Sequence, residues 1–309
     1  MHYLAAVITK GKPTYETIKK LMAPYQENNM GDCPKEYLKF NSTREDCERQ
    51  YNEWGKIMYR DEHGNLYRPD ERKFEWLIKE EERGQYENYH SRDGKYYTFN
   101  YDGFTKVEIP YKNIWATLDE YLKDYCADEW DEEAQDYGYW ENPNRKWDWY
   151  QIGGRYAGFI RVNKNTAVDY GFGEKSWGWG SENPYTQDGD IISVDSARVK
   201  DIIQHDEKEV EHLGRKWDLI VGNEEPKDED ERIEKMYGYS PQYYIDTYGT
   251  KEKYIELESQ FNTFAVITKD GKWYDEYEIG ACKFKEWYKQ LVFDNAEDDD
   301  FLTIVDYHI

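Results

Sequence analysis

An apolar, strand-like run stands near each end of this 309-residue sequence, and those two runs constrain its fold more than any other feature. Residues 3–9 read as a buried strand, Gly11 and Pro13 break it, and residues 15–22 carry helical spacing until Pro24 stops them. At the far end, residues 263–268 repeat the strand character. Asp270-Gly271 then supplies a hairpin turn, and Trp273-Tyr274 begins the return. A helix over about 284–293 and a strand over 302–307 complete this segment. An unpaired strand edge is a liability, and terminal strands commonly find a partner in one another, so the ends are expected to share a sheet.

The segments echo each other as Ala6-Val7-Ile8-Thr9-Lys10 and Ala265-Val266-Ile267-Thr268-Lys269. Two related half-modules would give such a match, and so would two buried strands that end in similar turns. The expected organisation is one compact body, 1–309. In it 1–30 and 260–309 form a joint terminal module, and 31–259 is a long insertion of helices and hairpins. Helical spacing falls on 43–54, 70–83, 113–126, 196–209, 241–248 and 251–259. Strand or hairpin patterning falls on 57–67, 96–109, 158–170, 190–194 and 217–221. The fold class is therefore α+β, with a mixed or antiparallel sheet and helices packed on it.

Hydrophobic residues make up only 38 %, but 31 Tyr, 12 Trp and 11 Phe supply large, partly polar surfaces that a disordered chain of this charge would lack. With 41 Lys+Arg against 65 Asp+Glu the formal net charge is −24, which disfavours phosphate backbones and anionic membranes as direct partners. Such a charge suits docking onto a basic surface, including one that normally holds nucleic acid, and it equally serves solubility. Acidic stretches at 128–133, 224–234 and 297–300 read as solvated connections.

Cys33, Cys47, Cys126 and Cys282 show neither CxxC spacing nor the density of a disulfide framework, so free thiols are expected. No stretch approaches the ~18 apolar residues of a membrane span, and a cytoplasmic protein is expected.

Three constellations stand out. In Asn142-Pro143-Asn144-Arg145-Lys146-Trp147-Asp148-Trp149-Tyr150-Gln151-Ile152-Gly153-Gly154-Arg155, an extended chain would place Trp147 and Trp149 on one face and Asp148 and Tyr150 on the other. Gly153-Gly154 would permit a positive-φ turn that presents Arg155 to a carboxylate or phosphate. The block also reads as architecture, with two Trp anchors and an internal Asp148–Arg155 ion pair. It matches neither a Walker A loop nor a dinucleotide fingerprint, and no cofactor is expected. The stretch 171–180 presents Trp177 and Trp179 among glycines, either as a stacking flap or as packing pegs. Finally, antiparallel pairing of the terminal strands would bring His2 to Asp306 and His308, a set able to relay protons, hold a metal or simply hydrogen-bond. No metal site is assigned with these ligands alone.

Taken together, these blocks resemble an uncharacterised family of bacteriophage-encoded proteins. The resemblance runs from His2-Tyr3 and Ala23-Pro24-Tyr25-Gln26-Glu27-Asn28 through Lys146–Arg155 to Phe264-Ala265-Val266-Ile267, Gly271-Lys272-Trp273-Tyr274 and Leu302–Ile309. Tyr307 stands where the family often has Cys, which argues against thiol chemistry at that position, and Ile279 stands where Met is usual. The resemblance implies a phage origin and expression in a bacterial cell.

Two functions are expected from this reading. The first is an acidic protein that binds and disables a host factor such as an antiviral nuclease complex. Trp177, Trp179 and the acidic residues Glu224, Glu225, Asp228, Glu229 and Asp230 are its contact candidates. The second is an enzyme or small-ligand binder whose pocket gathers Trp147, Asp148, Trp149, Arg155, His2, Asp306 and His308. A virion component is a third class, and self-association is compatible with each.

Overall fold

A computed structural model describes residues 1–165, 187–205, 207–230, 233 and 239–309. The chain is α+β and divides into two compact units, Met1–Leu38 with Asn142–Ile309, and Lys39–Glu141.

The first unit is built on a mixed sheet of β1 (His2–Lys10), β2 (Trp149–Ile152), β3 (Ser196–Arg198), β4 (Ala265–Ile267), β5 (Trp273–Asp275) and β6 (Asp300–His308). Its order is β2-β6-β1-β4-β5, and β3 pairs with β6 further along the edge that β2 occupies. The terminal strands pair antiparallel along their whole length, from His2 opposite His308 to Lys10 opposite Asp300. β4 joins β1 in parallel, and the remaining pairs are antiparallel.

Both central strands are covered on both faces, which is why their sequences run apolar without alternation. One face packs Leu4, Ala6, Ile8, Leu302 and Ile304 against Phe284, Tyr288 and Val292. The other packs Ala5, Val7, Val305 and Tyr307 against Ile18, Met22, Trp147 and Trp273. Helix α1 (Tyr15–Met22) lies on the second face, its first turn capped by the Thr14 hydroxyl accepting from the Thr17 N–H. The helix Ala281–Tyr288 lies on the first. The sequence echo falls on parallel neighbours, Ala5 beside Ala265 and Val7 beside Ile267. Both segments are buried on two faces, a demand that calls for apolar residues at the same positions.

The division of the chain differs from an insertion over 31–259. Residues beyond 141 supply β2 and β3 to the terminal sheet, and the continuous segment Lys39–Glu141 forms the second unit. That unit holds three small three-stranded sheets and a core of Cys47, Tyr51, Tyr111, Tyr121, Leu122, Cys126 and Tyr137. A second aromatic knot surrounds Phe74, with Tyr59, Tyr101 and Phe104 in ring contact. Tyrosine therefore does the work that aliphatic residues do elsewhere.

Four sequence expectations fail. Residues 196–209 form no single helix: Ser196–Arg198 is the strand β3, drawn into the sheet by pairing with β6, and the helix starts only at Glu207. Residues 70–83 form no α-helix: Glu75–Ile78 is a strand paired with Lys95–Phe99, because tertiary pairing outweighs a weak helical pattern. Residues 96–109 make no hairpin with themselves, since Lys95–Phe99 and Thr105–Pro110 pair with different strands. Of residues 217–221, read as a strand, 217–220 end the helix Glu207–Ile220, where Leu213, Trp217 and Ile220 repeat at helical spacing against Tyr244 and Tyr254.

Replacing the fully buried Leu302 by Ala leaves a cavity between β6 and the helix Ala281–Tyr288. The substitution is expected to cost roughly 2–5 kcal/mol, read from urea unfolding.

Candidate functional site

The end of the sheet where the chain begins and finishes carries two aspartate–histidine pairs side by side. His2 Nδ1 lies 2.9 Å from Asp306 Oδ1, and His308 Nδ1 lies 2.9 Å from Asp148 Oδ1. The β1–β6 register sets His2 directly opposite His308, and their ring centroids are 5.1 Å apart. Trp149 stands edge-on to His2 with centroids 5.8 Å apart. A carboxylate accepts, so it orients a neutral imidazole to donate its Nδ1–H, the tautomer in which Nε2 carries the lone pair. Among the described residues neither Nε2 has a hydrogen-bond partner.

Asp306 is 1 % exposed, and its second oxygen accepts the backbone N–H of Arg155 at 2.9 Å. The chain reaches this position through Gly153 and Gly154, both at positive φ (71° and 54°). A Cβ on Gly154 would lie 2.4 Å from the Asp306 Cβ, and one on Gly153 would lie 2.7 Å from an Asp195 oxygen. The glycine pair is thus held between two buried aspartates. Asp195 is 2 % exposed and accepts the Gly158 N–H at 2.7 Å. Nothing in the local spacing around Asp195 announces this role, which depends on a loop distant in sequence.

Tyr156 closes the base of the arrangement by donating its hydroxyl to the His2 carbonyl at 3.2 Å. Burial raises its pKa, the Asp306 charge adds to the rise, and the nearby Arg155 charge opposes it. The Arg155 side chain is exposed.

The block 147–155 is not uniformly extended, because Asp148 sits in a bend before β2. Trp147 and Trp149 consequently do not share a face. Trp147 is buried in the opposite core, donates its indole N–H to the Met22 carbonyl at 3.0 Å and stands edge-on to Tyr150. Asp148 pairs with His308 and not with Arg155. Of the candidate pocket residues, the structure therefore gathers His2, Asp306, His308, Asp148, Trp149 and the Arg155 backbone, and sends Trp147 elsewhere.

Strand alternation turns the neighbours Tyr3 and Tyr307 to the other face. There, with Phe264, Tyr277 and the flanking Met1 and Ile309, they line a cavity of about 390 Å³ that also meets Arg145 and Lys146. Lys146 is bonded to Asp275 at 3.2 Å and to Glu278.

The described residues 224–230 of the acidic stretch 224–234 are not a free arm. Asp230 is 2 % exposed and accepts from the Arg215 guanidinium, which also binds Glu224 and the Glu225 carbonyl. Arg215 first, then the Lys227 N–H, holds the Asp230 carboxyl below its ordinary 3.8. Asp228 is exposed, and Glu229 lies in the turn Asp228–Asp230. Trp177, Trp179 and the side chain of Glu229 fall outside the described residues.

No family model matches the sequence, and no curated protein or solved structure is significantly similar to it. No helix among the described residues is long and apolar enough to cross a membrane.

Gly154→Ala combines a backbone conformation disfavoured for alanine with a clash against Asp306. It is expected to destabilise the chain by about 1–3 kcal/mol in thermal or urea unfolding, and to shift the His2 imidazole resonances before the protein unfolds.

Proposed function

We propose that the chain handles a small anionic molecule at the His2–His308 pair and moves protons on it. The observation that carries this reading is the facing of two imidazoles, each with Nδ1 bound to a carboxylate at 2.9 Å and Nε2 left for a ligand. In its neutral form such an imidazole accepts a proton from an attacking group, and in the protonated form that results it donates that proton to a leaving group. Trp149 stands edge-on beside His2, the Arg155 backbone is held at the site by Asp306, and this reading assigns the exposed Arg155 guanidinium as the cation for an anionic substrate. No step requires a cofactor.

The test uses the purified chain in a small-molecule extract of bacterial cells, with substrate loss and product gain followed by mass spectrometry. The wild type is expected to convert an anionic component. His2→Gln or His308→Gln should slow that conversion about 10²–10⁴-fold, and Arg155→Lys should act mainly on KM. No conversion by the wild type, or equal conversion by both histidine variants, removes the reading.

A second reading is an acidic protein that docks on a basic surface of a host factor, an antiviral nuclease complex being the candidate. It draws on the net charge of −24 and on exposed aromatics such as Tyr139, Tyr239 and Tyr277. The phage origin and the bacterial cytoplasm enter this proposal from the sequence resemblance. Asp230 is withdrawn from its contacts, because its carboxylate is buried against Arg215. Restored plating of phage on defended cells by the His2→Gln/His308→Gln double variant would favour docking over proton transfer.

A further inference from the structure

Two cysteines that the sequence leaves unrelated meet in the Lys39–Glu141 unit. Cys47 lies on the helix Arg44–Glu53, and Cys126 follows the helix Leu118–Asp124. Both are buried, at 1 % and 3 % exposure. Glu129 arrives from the short turn Ala127–Glu129, with Oε2 3.9 Å from Cys47 Sγ. The same oxygen accepts the Thr43 hydroxyl. One donor atom from each of Cys47, Cys126 and Glu129 lies within 4.8 Å of the other two.

That spacing suits a small cation. Zinc–sulfur bonds of about 2.3 Å and zinc–oxygen bonds of about 2.0–2.2 Å at tetrahedral angles keep ligand atoms roughly 3.5–3.8 Å apart. The observed set needs only a modest contraction to reach this. Two sulfurs select against the hard cations calcium and magnesium, and an exposed Glu129 beside two buried thiols leaves one side open for entry and for a solvent ligand.

We propose that Cys47, Cys126 and Glu129 form a binding site for a thiophilic divalent cation of the zinc class. The site belongs to a different unit from the histidine pair and stands or falls independently of it. Metal binding exchanges two S–H bonds for two metal–sulfur bonds and releases two protons, with no change of oxidation state. Because thiolates are the binding form, metal binding releases protons and the affinity rises with pH.

The direct experiment titrates the reduced full-length chain with Co²⁺ and follows thiolate-to-cobalt charge transfer and tetrahedral ligand-field bands, with Zn²⁺ as displacing competitor. One equivalent is expected to bind. Cys47→Ser and Cys126→Ser should each abolish the charge-transfer signature of the two-sulfur site, and Glu129→Gln should weaken binding about 10–100-fold. The Cys282→Ser variant should bind as the wild type does. Because a cysteine variant could also disturb the tyrosine core, the exposed Glu129→Gln, checked for an unchanged near-ultraviolet dichroism spectrum, carries the test alone. Absence of stoichiometric Co²⁺ binding, survival of the full signature in both cysteine variants, or a Cys47–Cys126 disulfide in protein isolated from a reducing cytoplasm would each overturn the proposal.

Discussion

The Asp306 carboxylate is the interaction around which the terminal unit is organised. A buried charge costs several kcal/mol unless it is paired and hydrogen-bonded. Asp306 meets that requirement through His2 on β1 and the Arg155 N–H on the glycine turn. Three separated segments of sequence are thereby fixed at one point: the first residues, the turn at 153–155 and the last strand. Removing one hydrogen-bond partner of such a buried carboxylate is expected to cost on the order of 1.5–3 kcal/mol.

From that constraint follow the choices nearby. Gly153 and Gly154 are small because two carboxylates occupy the space where their side chains would stand. β2 ends at Ile152 so that the turn can fold back, and Asp195 holds the far side of the same turn through Gly158. With His2 oriented by Asp306 and placed opposite His308, Asp148 needs only a bend before β2 to orient the second imidazole. The site is therefore a product of sheet register, and His2, Asp306, His308 and Trp149 sit on strands, which suits a function that needs fixed geometry.

Legibility in the sequence followed the reach of the interaction. Strands covered on both faces announce themselves as continuous apolar runs, so the shared terminal sheet and the meeting of His2, Asp306 and His308 were readable from order and polarity. Helices with strong local starts were readable too: Ser240-Pro241 opens Pro241–Tyr248 and Thr250 caps Lys251–Ser259. Residues 70–83 and 217–221 were misread because a pairing partner in one case, and an aromatic packing face in the other, decided between helix and strand. The bend at Asp148, which separates Trp147 from Trp149, is set by the demand of His308 and has no local signature. Asp195 and the Cys47–Cys126–Glu129 cluster escaped for the same reason, since their members are brought together only by tertiary structure.

The most direct test of the central claim is the tautomeric state of the two terminal-strand histidines, read from long-range nitrogen–proton correlations in the folded protein at a pH where the imidazoles are neutral. Carboxylates at Nδ1 require both His2 and His308 to carry the proton on Nδ1, leaving Nε2 unprotonated. An Nε2-protonated tautomer at either residue would contradict the orienting role assigned to Asp306 and Asp148, and with it the proton-transfer site built on them.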